Sequence, residues 1–198
     1  MPRSPEPARQ ALIAAAERLF AANGVDAVPV SDVAQAAGQR NNSAVQYHFG
    51  DKQGLLRAVV EKHQARIDEQ RIELLERLEE PVTLRDGVEV LVQPLASLLD
   101  DAAGCRYLKI QAQIVSSHDI TKGWTGRRGG RRMIALLGEL TGDLNSAKDP
   151  HRNALVITLL FHGLADFARR FPRASATERK KFTEALTACI AAVIRAKP

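Results

Sequence analysis

Glycines at positions 24, 38 and 50 divide the first fifty residues into short segments. Glycine adopts the left-handed backbone that ends a helix without steric cost, so each is a natural helix stop. Before Gly24, Leu12, Ala15, Ala16, Leu19 and Phe20 recur at helical spacing, which predicts a first helix over about residues 8–23. It follows a loose arm, residues 1–7, in which Arg3 is a candidate for a minor-groove contact. Ser31 is placed to cap a second helix, with Asp32 in its first turn and Val33, Ala36 and Ala37 facing inward. Asn41 or Asn42 can cap a third, very short helix over residues 43–49, and Asp51 a fourth. Two short helices joined by a glycine-containing turn and followed by a long helix form the layout of a helix-turn-helix reader. In such a reader the second short helix enters the major groove.

The rest of the chain also reads as helix. Hydrophobic residues are 45% of the sequence but aromatic ones only 5%, and alanine and leucine are abundant. This balance favours helices over sheets, because aromatic and β-branched residues are the strand formers. A fourth helix is expected over residues 51–80, ended by Pro81. Its inward stripe is Leu55, Leu56, Val59, Val60, His63, Ile67, Leu74, Leu75 and Leu78. At 1.5 Å per residue it would span about 43 Å, enough to link a small head to a separate body. Further helices are expected over residues 84–100 with a kink threatened at Pro94, 105–117, 131–140, 150–171 and from a Thr177 cap onward. The segment ALVITLLFHGLADFA, residues 154–168, is apolar on nearly every face, and the last helix adds Ala185, Ala188, Ala191 and Ala192 beside Phe182, Leu186, Ile190 and Val193. The fold class is therefore all-α with about nine helices. A helix-turn-helix domain over residues 1–50 runs through the linking helix, residues 51–80, into a larger helical bundle within residues 51–198.

Charge narrows the function less than the motif does. The net charge is +5, yet residues 1–62 hold 7 basic and 6 acidic side chains, so the reading head is nearly neutral. The excess lies at residues 103–132 and 169–198. The run RRGGRR, residues 127–132, is expected to be a solvated flexible loop, with an anionic-effector site or a second DNA contact as alternatives; it lacks the GxxxxGK[ST] pattern of a phosphate loop. Cys105 and Cys189 have no metal-ligand spacing and read as buried thiols. No metal, cofactor or catalytic constellation is expected, nor a signal segment or membrane span, so the chain is placed in the cytoplasm as a non-enzyme.

The runs AAAERLFAANG, SDVAQAAG and AVQYHFGDKQGLL occur in order across residues 8–62. In type, order and spacing this stretch resembles the N-terminal domain of the TetR/AcrR family of bacterial transcriptional regulators. One departure is an extra residue between Gly38 and Phe49, within QRNNS. The resemblance implies an all-helical homodimer whose heads bind double-stranded operator DNA and whose bodies bind a small effector. It also implies dimerisation through a four-helix bundle, two helices from each subunit, here assigned to the last two long helices.

Residue chemistry fits that expectation. Asn41, Asn42 and Gln46 carry amides that can pair with adenine, Arg40 can pair with guanine, and Ser43 can donate to a base or phosphate. Ala44 can touch a thymine methyl, while Val45 and Phe49 should be core. Ser31, Tyr47, His48 and Lys52 match family positions that hold the phosphate backbone, and Lys52 also stands at a helix N-terminus. In the body, Tyr107, Gln111, Ile114, His118, Trp124, Phe161, His162 and Asp166 are candidates for an effector pocket, with His162 and Asp166 one turn apart and able to bond each other. The expected function is a ligand-responsive regulator, most simply a repressor released from a palindromic operator. The alternative is a constitutive dimeric DNA-binding or architectural protein.

Overall fold

Helix-forming segments separated by glycine, proline and polar caps give a chain that is all-α. A computed structural model describes residues 5–39, 43–115, 127–141 and 150–196, and no strand occurs among the described residues. They contain nine α-helices and one 3₁₀ turn. The chain forms two compact units, Met1–His63 and Gln64–Pro198.

The first unit contains α1 (Pro5–Asn23), α2 (Val30–Ala36), α3 (Ser43–Phe49) and the start of α4 (Lys52–Glu76). Its core joins Leu12, Ala16 and Phe20 of α1 to Val33 and Ala34 of α2, Val45 of α3 and Leu55 and Val59 of α4, all buried. Helix α1 begins at Pro5, earlier than expected. Its two prolines lie in the first turn, where the backbone N–H groups have no helical partner to lose. The expected Ser31 cap is corrected: Pro29 holds the N-cap position and Ser31 lies inside α2, where its hydroxyl donates to Asp32. Val33 and Ala34 are the buried pair of α2, and Ala36 is exposed. Gly38 and Gly50 have φ of 69° and 80°, a region that an L side chain seldom enters. They turn the chain into and out of the α2–α3 segment.

Helix α4 ends at Glu76 after 25 residues, short of the expected residue 80. The same helix serves two different cores. In the first unit it buries Leu55, Leu56 and Val59; in the second it buries Ile67 together with Gln64, Asp68 and Arg71, while Leu74, Leu75 and Leu78 are only half-buried. This polar stripe was not anticipated.

The second unit adds α5 (Leu84–Ala96), a 3₁₀ turn (Ser97–Asp100), α6 (Ala102–Ile114), α7 (Arg128–Leu140), α8 (Pro150–Arg170) and α9 (Ala176–Arg195). Helix α6 packs on α8, α9 on α5 and α8, and α7 on α5. Phe167 of α8 stacks on Phe182 of α9 with centroids 4.2 Å apart. Pro94 falls near the end of α5, where the chain tightens into the 3₁₀ turn rather than kinking a longer helix. Ser175, not Thr177, caps α9, in a reciprocal box with Glu178. Cys189 is exposed rather than buried, because it lies on the outer face of α9; Cys105 is half-buried, which pushes its thiol pKa up. The expected loop at residues 127–132 is helix from Arg128 onward. Its glycines provide close approach: a Cβ on Gly129 would stand 2.8 Å from the Asp68 carbonyl oxygen and 2.8 Å from its carboxylate, and the Gly130 N–H donates to Asp68 at 3.1 Å.

None of the described helices is long and apolar enough to cross a membrane, and no group of His, Cys, Asp or Glu among the described residues can hold a metal ion.

Helix α5 is closed by Thr83, whose hydroxyl accepts from the Asp86 N–H while the Asp86 carboxylate accepts from the Thr83 backbone and hydroxyl. Those bonds, the hydroxyl's first, hold the Asp86 carboxyl below its ordinary range. Thr83→Ala is expected to cost about 1 kcal/mol and, for a chain of this size, to lower Tm by about 2–4 °C. Because the folded-state value is lowered, the box stabilises above the ordinary carboxylate range and loses its effect as pH falls through the folded value. The gap between wild type and variant in thermal melts should therefore narrow in acid.

Candidate functional site

A seven-residue helix is too short to persist alone. Helix α3 is held by burial and by its junction with α4. Val45 is buried in the head core, and Phe49 is half-buried with the Arg9 guanidinium 5.4 Å from its ring centroid, so only one of the two expected core residues is fully enclosed. After Gly50, Asp51 caps α4 by accepting from the Gly54 N–H at 2.6 Å. Gly54 lies so close to α3 that an added Cβ would stand 1.9 Å from the Phe49 carbonyl oxygen. Across the head, the buried Glu17 of α1 accepts from the Lys62 ammonium at 2.6 Å and lies 3.3 Å from His63 Nε2. This ties α1 to α4.

With Val45 inward, the opposite face of α3 is left to solvent. Ser43, Gln46 and Tyr47 are exposed, Tyr47 at 79%, and Ala44 and His48 are half-buried. The Tyr47 and His48 rings meet edge to face at 5.0 Å. Tyr47 is a large aromatic carrying a hydroxyl and held in water, which is costly for packing and useful for contact. Ser31 is exposed on α2. Lys52 is half-buried: its ammonium donates to the Asp26 carbonyl at 3.1 Å and stands 6.0 Å from the Phe20 ring centroid. An ammonium has three donors, so this tether orients the side chain and leaves capacity for an anion. Arg40, Asn41 and Asn42 lie outside the described residues, as does Arg3.

In the second unit the sequence candidates separate. Tyr107, Gln111 and Phe161 are fully buried. Ile114 is half-buried at the end of α6. His162 is exposed, and Asp166 pairs with Arg169 and Arg170, so the expected His162–Asp166 pair gives way to two arginines one turn further along the same helix. His118 and Trp124 lie outside the described residues. Around Tyr107 the structure adds side chains that the sequence did not single out. Gln64 Nε2 donates to the Tyr107 hydroxyl at 2.9 Å. Arg71 is buried, and that burial lowers its pKa, opposed by Tyr107 and Asp68. Burial likewise raises the Tyr107 pKa, with Arg71 and the nearby Gln111 and Gln64 acting against it. The available signal was the spacing of Gln64, Asp68 and Arg71 along one face of α4, which reads as an ordinary solvated stripe until α6 and α7 cover it.

Residues 12–59 match the family described as bacterial regulatory proteins, tetR family. No curated protein matches the chain. Solved structures share the fold over nearly their whole length. A TetR-family transcriptional regulator from Rhodococcus sp. aligns with a TM-score of 0.58 at 17% identity, over 94% of this chain and 98% of that one. NalD of Pseudomonas aeruginosa, the secondary repressor of the MexAB-OprM multidrug efflux pump, aligns with a TM-score of 0.60 at 23% identity, over 94% and 96%. The fatty acid degradation regulator FadR of Bacillus halodurans aligns with a TM-score of 0.56 at 15% identity, over 96% and 98%.

The α3–α4 junction generates a sharp expectation. Alanine is the better helix former by about 1 kcal/mol in a free helix, so Gly54→Ala would stabilise α4 if α3 did not touch it. Because the obstacle is a backbone carbonyl, the variant should instead lose about 1–3 kcal/mol, read by thermal or urea unfolding. A variant as stable as wild type would show that α3 is not seated on Gly54.

Proposed function

We propose that the chain, whose first unit matches the tetR family of bacterial regulatory proteins, is a homodimeric, effector-responsive repressor acting on operator DNA in the cytoplasm. The observation that carries this reading is the face of α3 on which Gln46 and Tyr47 stand in solvent while Val45 anchors the helix. A short helix pinned by its inner side and polar on its outer side can be inserted into a major groove without unfolding any core. Gln46, with Ser43, Arg40, Asn41 and Asn42, would read base edges. Ser31, Tyr47, His48 and Lys52 would position the head on phosphates.

Dimerisation is assigned to α8 and α9. Leu155 of α8 is 61% exposed, Thr158 and His162 lie on the same uncovered side, and Ala185, Ala188 and Ala192 leave small side chains exposed on α9. Small residues permit close backbone approach, and an exposed leucine in such a stripe is suited to burial against a second copy. A two-fold pair would present two copies of α3 to a palindrome, with half-sites about one DNA turn, or roughly 34 Å, apart. Effector binding in the second unit would act on α4, which contributes to both cores. Operator and effector would then oppose each other reciprocally.

Selection of bound fragments from a random duplex library would supply the operator. On that operator Gln46→Ala should lose about 1–3 kcal/mol of specific binding and relax preference at one position. Lys52→Ala should weaken cognate and random DNA alike and lower the magnitude of the salt slope by about one unit. Identical behaviour of the two variants would refute the division of roles. Leu155→Arg should convert a dimer to a monomer in analytical ultracentrifugation and lose cognate affinity with it; a monomeric wild type would remove the palindrome from the proposal. Equal operator affinity with and without the true effector would leave a constitutive DNA-binding dimer.

A further inference from the structure

The second unit encloses amide atoms that the protein itself does not satisfy. Gln111 is fully buried and Gln64 is 3% exposed, yet Gln64 Oε1 and both Gln111 amide atoms make no hydrogen bond. Gln64 spends its Nε2 on the Tyr107 hydroxyl. Gln111 is one helical turn beyond Tyr107 and close enough to affect its hydroxyl, but without hydrogen-bond geometry. Buried polar atoms are normally paired, because an unpaired one has given up its bonds to water for nothing. Three such atoms clustered about one hydroxyl, on facing helices α4 and α6, therefore call for a ligand. We propose that Gln64, Gln111 and the Tyr107 hydroxyl bind the polar head of a neutral effector that presents both N–H donors and a carbonyl acceptor, of which a carboxamide is the simplest form, on an otherwise apolar small molecule.

The charge class follows from the neighbours. Arg71 and Asp68 are both buried on the same stripe of α4, and their formal charges cancel. Asp68 is further engaged by the Gly130 N–H at the start of α7. An anionic head would face the carbonyl oxygens of Gln64 and Gln111, while a cationic head would face the Arg71 guanidinium. A primary amide has two N–H donors for two oxygens and one carbonyl for the Gln111 amino group, which matches the three glutamine amide atoms. Helix α6 also packs on α8, where Leu160, Phe161 and Leu164 are fully buried, so α6 stands between this cluster and an apolar helix face.

This inference rests on the effector-responsive reading above and specifies the ligand for it. The test uses the full-length protein and three probes that share a benzene ring: benzamide, benzoate and benzamidinium, at millimolar concentrations and neutral pH. Side-chain amide NMR should show saturable shifts of the Gln64 and Gln111 signals with benzamide and none with the two charged probes. Gln111→Leu should abolish the benzamide response and also raise the Tm of the free protein, since an apolar side chain there leaves nothing unsatisfied. Gln64→Leu, which gives up one real bond to Tyr107, should weaken the response without that gain. Preference for benzoate or benzamidinium, absence of any saturable shift, or a lowered Tm for Gln111→Leu would each overturn the assignment. DNA binding of Gln111→Leu, measured separately, should be retained. A chain that took up benzamide but bound no DNA would refute the regulator reading and leave this site standing.

Discussion

The close approach of Gly54 to the Phe49 carbonyl is the constraint on which the placement of α3 depends. Seven residues of helix, Ser43–Phe49, contribute too few internal hydrogen bonds to offset their own ordering. Their position is set from outside: by Val45 in the core, by the Gly50 turn, and by α4 starting so near that only glycine fits at residue 54. The Asp51 cap and the Gly54 N–H complete that junction. The outer face of α3, with Gln46, Tyr47 and Ser43, is left exposed. Lys52, tethered to Asp26, is held at the edge of the same junction.

A second close approach organises the body by the same means. Gly129 and Gly130 bring the start of α7 onto α4, and Asp68 accepts the Gly130 N–H there. A carboxylate at a helix N-terminus is favoured by the exposed N–H groups and the helix dipole, so burying Asp68 is offset locally. Arg71, one turn further along, lies beside both Asp68 and Tyr107. The polar stripe of α4 is thus covered on one side by α7 and faced on another by α6. That cluster specifies how three helices meet, which a purely apolar stripe would do less selectively.

The head was legible in the sequence because each of its helices is short, punctuated by glycine and patterned for one core. Helix α3 has the expected bounds, and Asp51 caps α4 as expected. The cap of α2 was misassigned because a serine is a strong local signal, whereas Pro29 supplies the required extended backbone with no side-chain bond at all. The body was legible as helices and not as contacts. Gln64, Asp68 and Arg71 have the residue types of a solvated face, and only the tertiary arrangement buries them. The RRGGRR run misled for a related reason: glycine signals flexibility when read locally, but here it serves proximity. His162 and Asp166 have the right spacing to bond, yet Asp166 is taken by Arg169 and Arg170, so helical spacing alone did not select the partner.

These two glycine-mediated contacts bear on the same helix. The first fixes the start of α4 against α3, and the second fixes its later turns against α7. Between them the buried surface of α4 changes from leucine and valine to glutamine, aspartate and arginine. Apolar contacts tolerate small slides, since their energy varies gently with position. Hydrogen bonds at 2.9 and 3.1 Å to Tyr107 and Gly130 tolerate far less. At the α3 end the Phe49 carbonyl leaves no room for a side chain at residue 54. Helix α4 is thus fixed by close backbone approach within each unit.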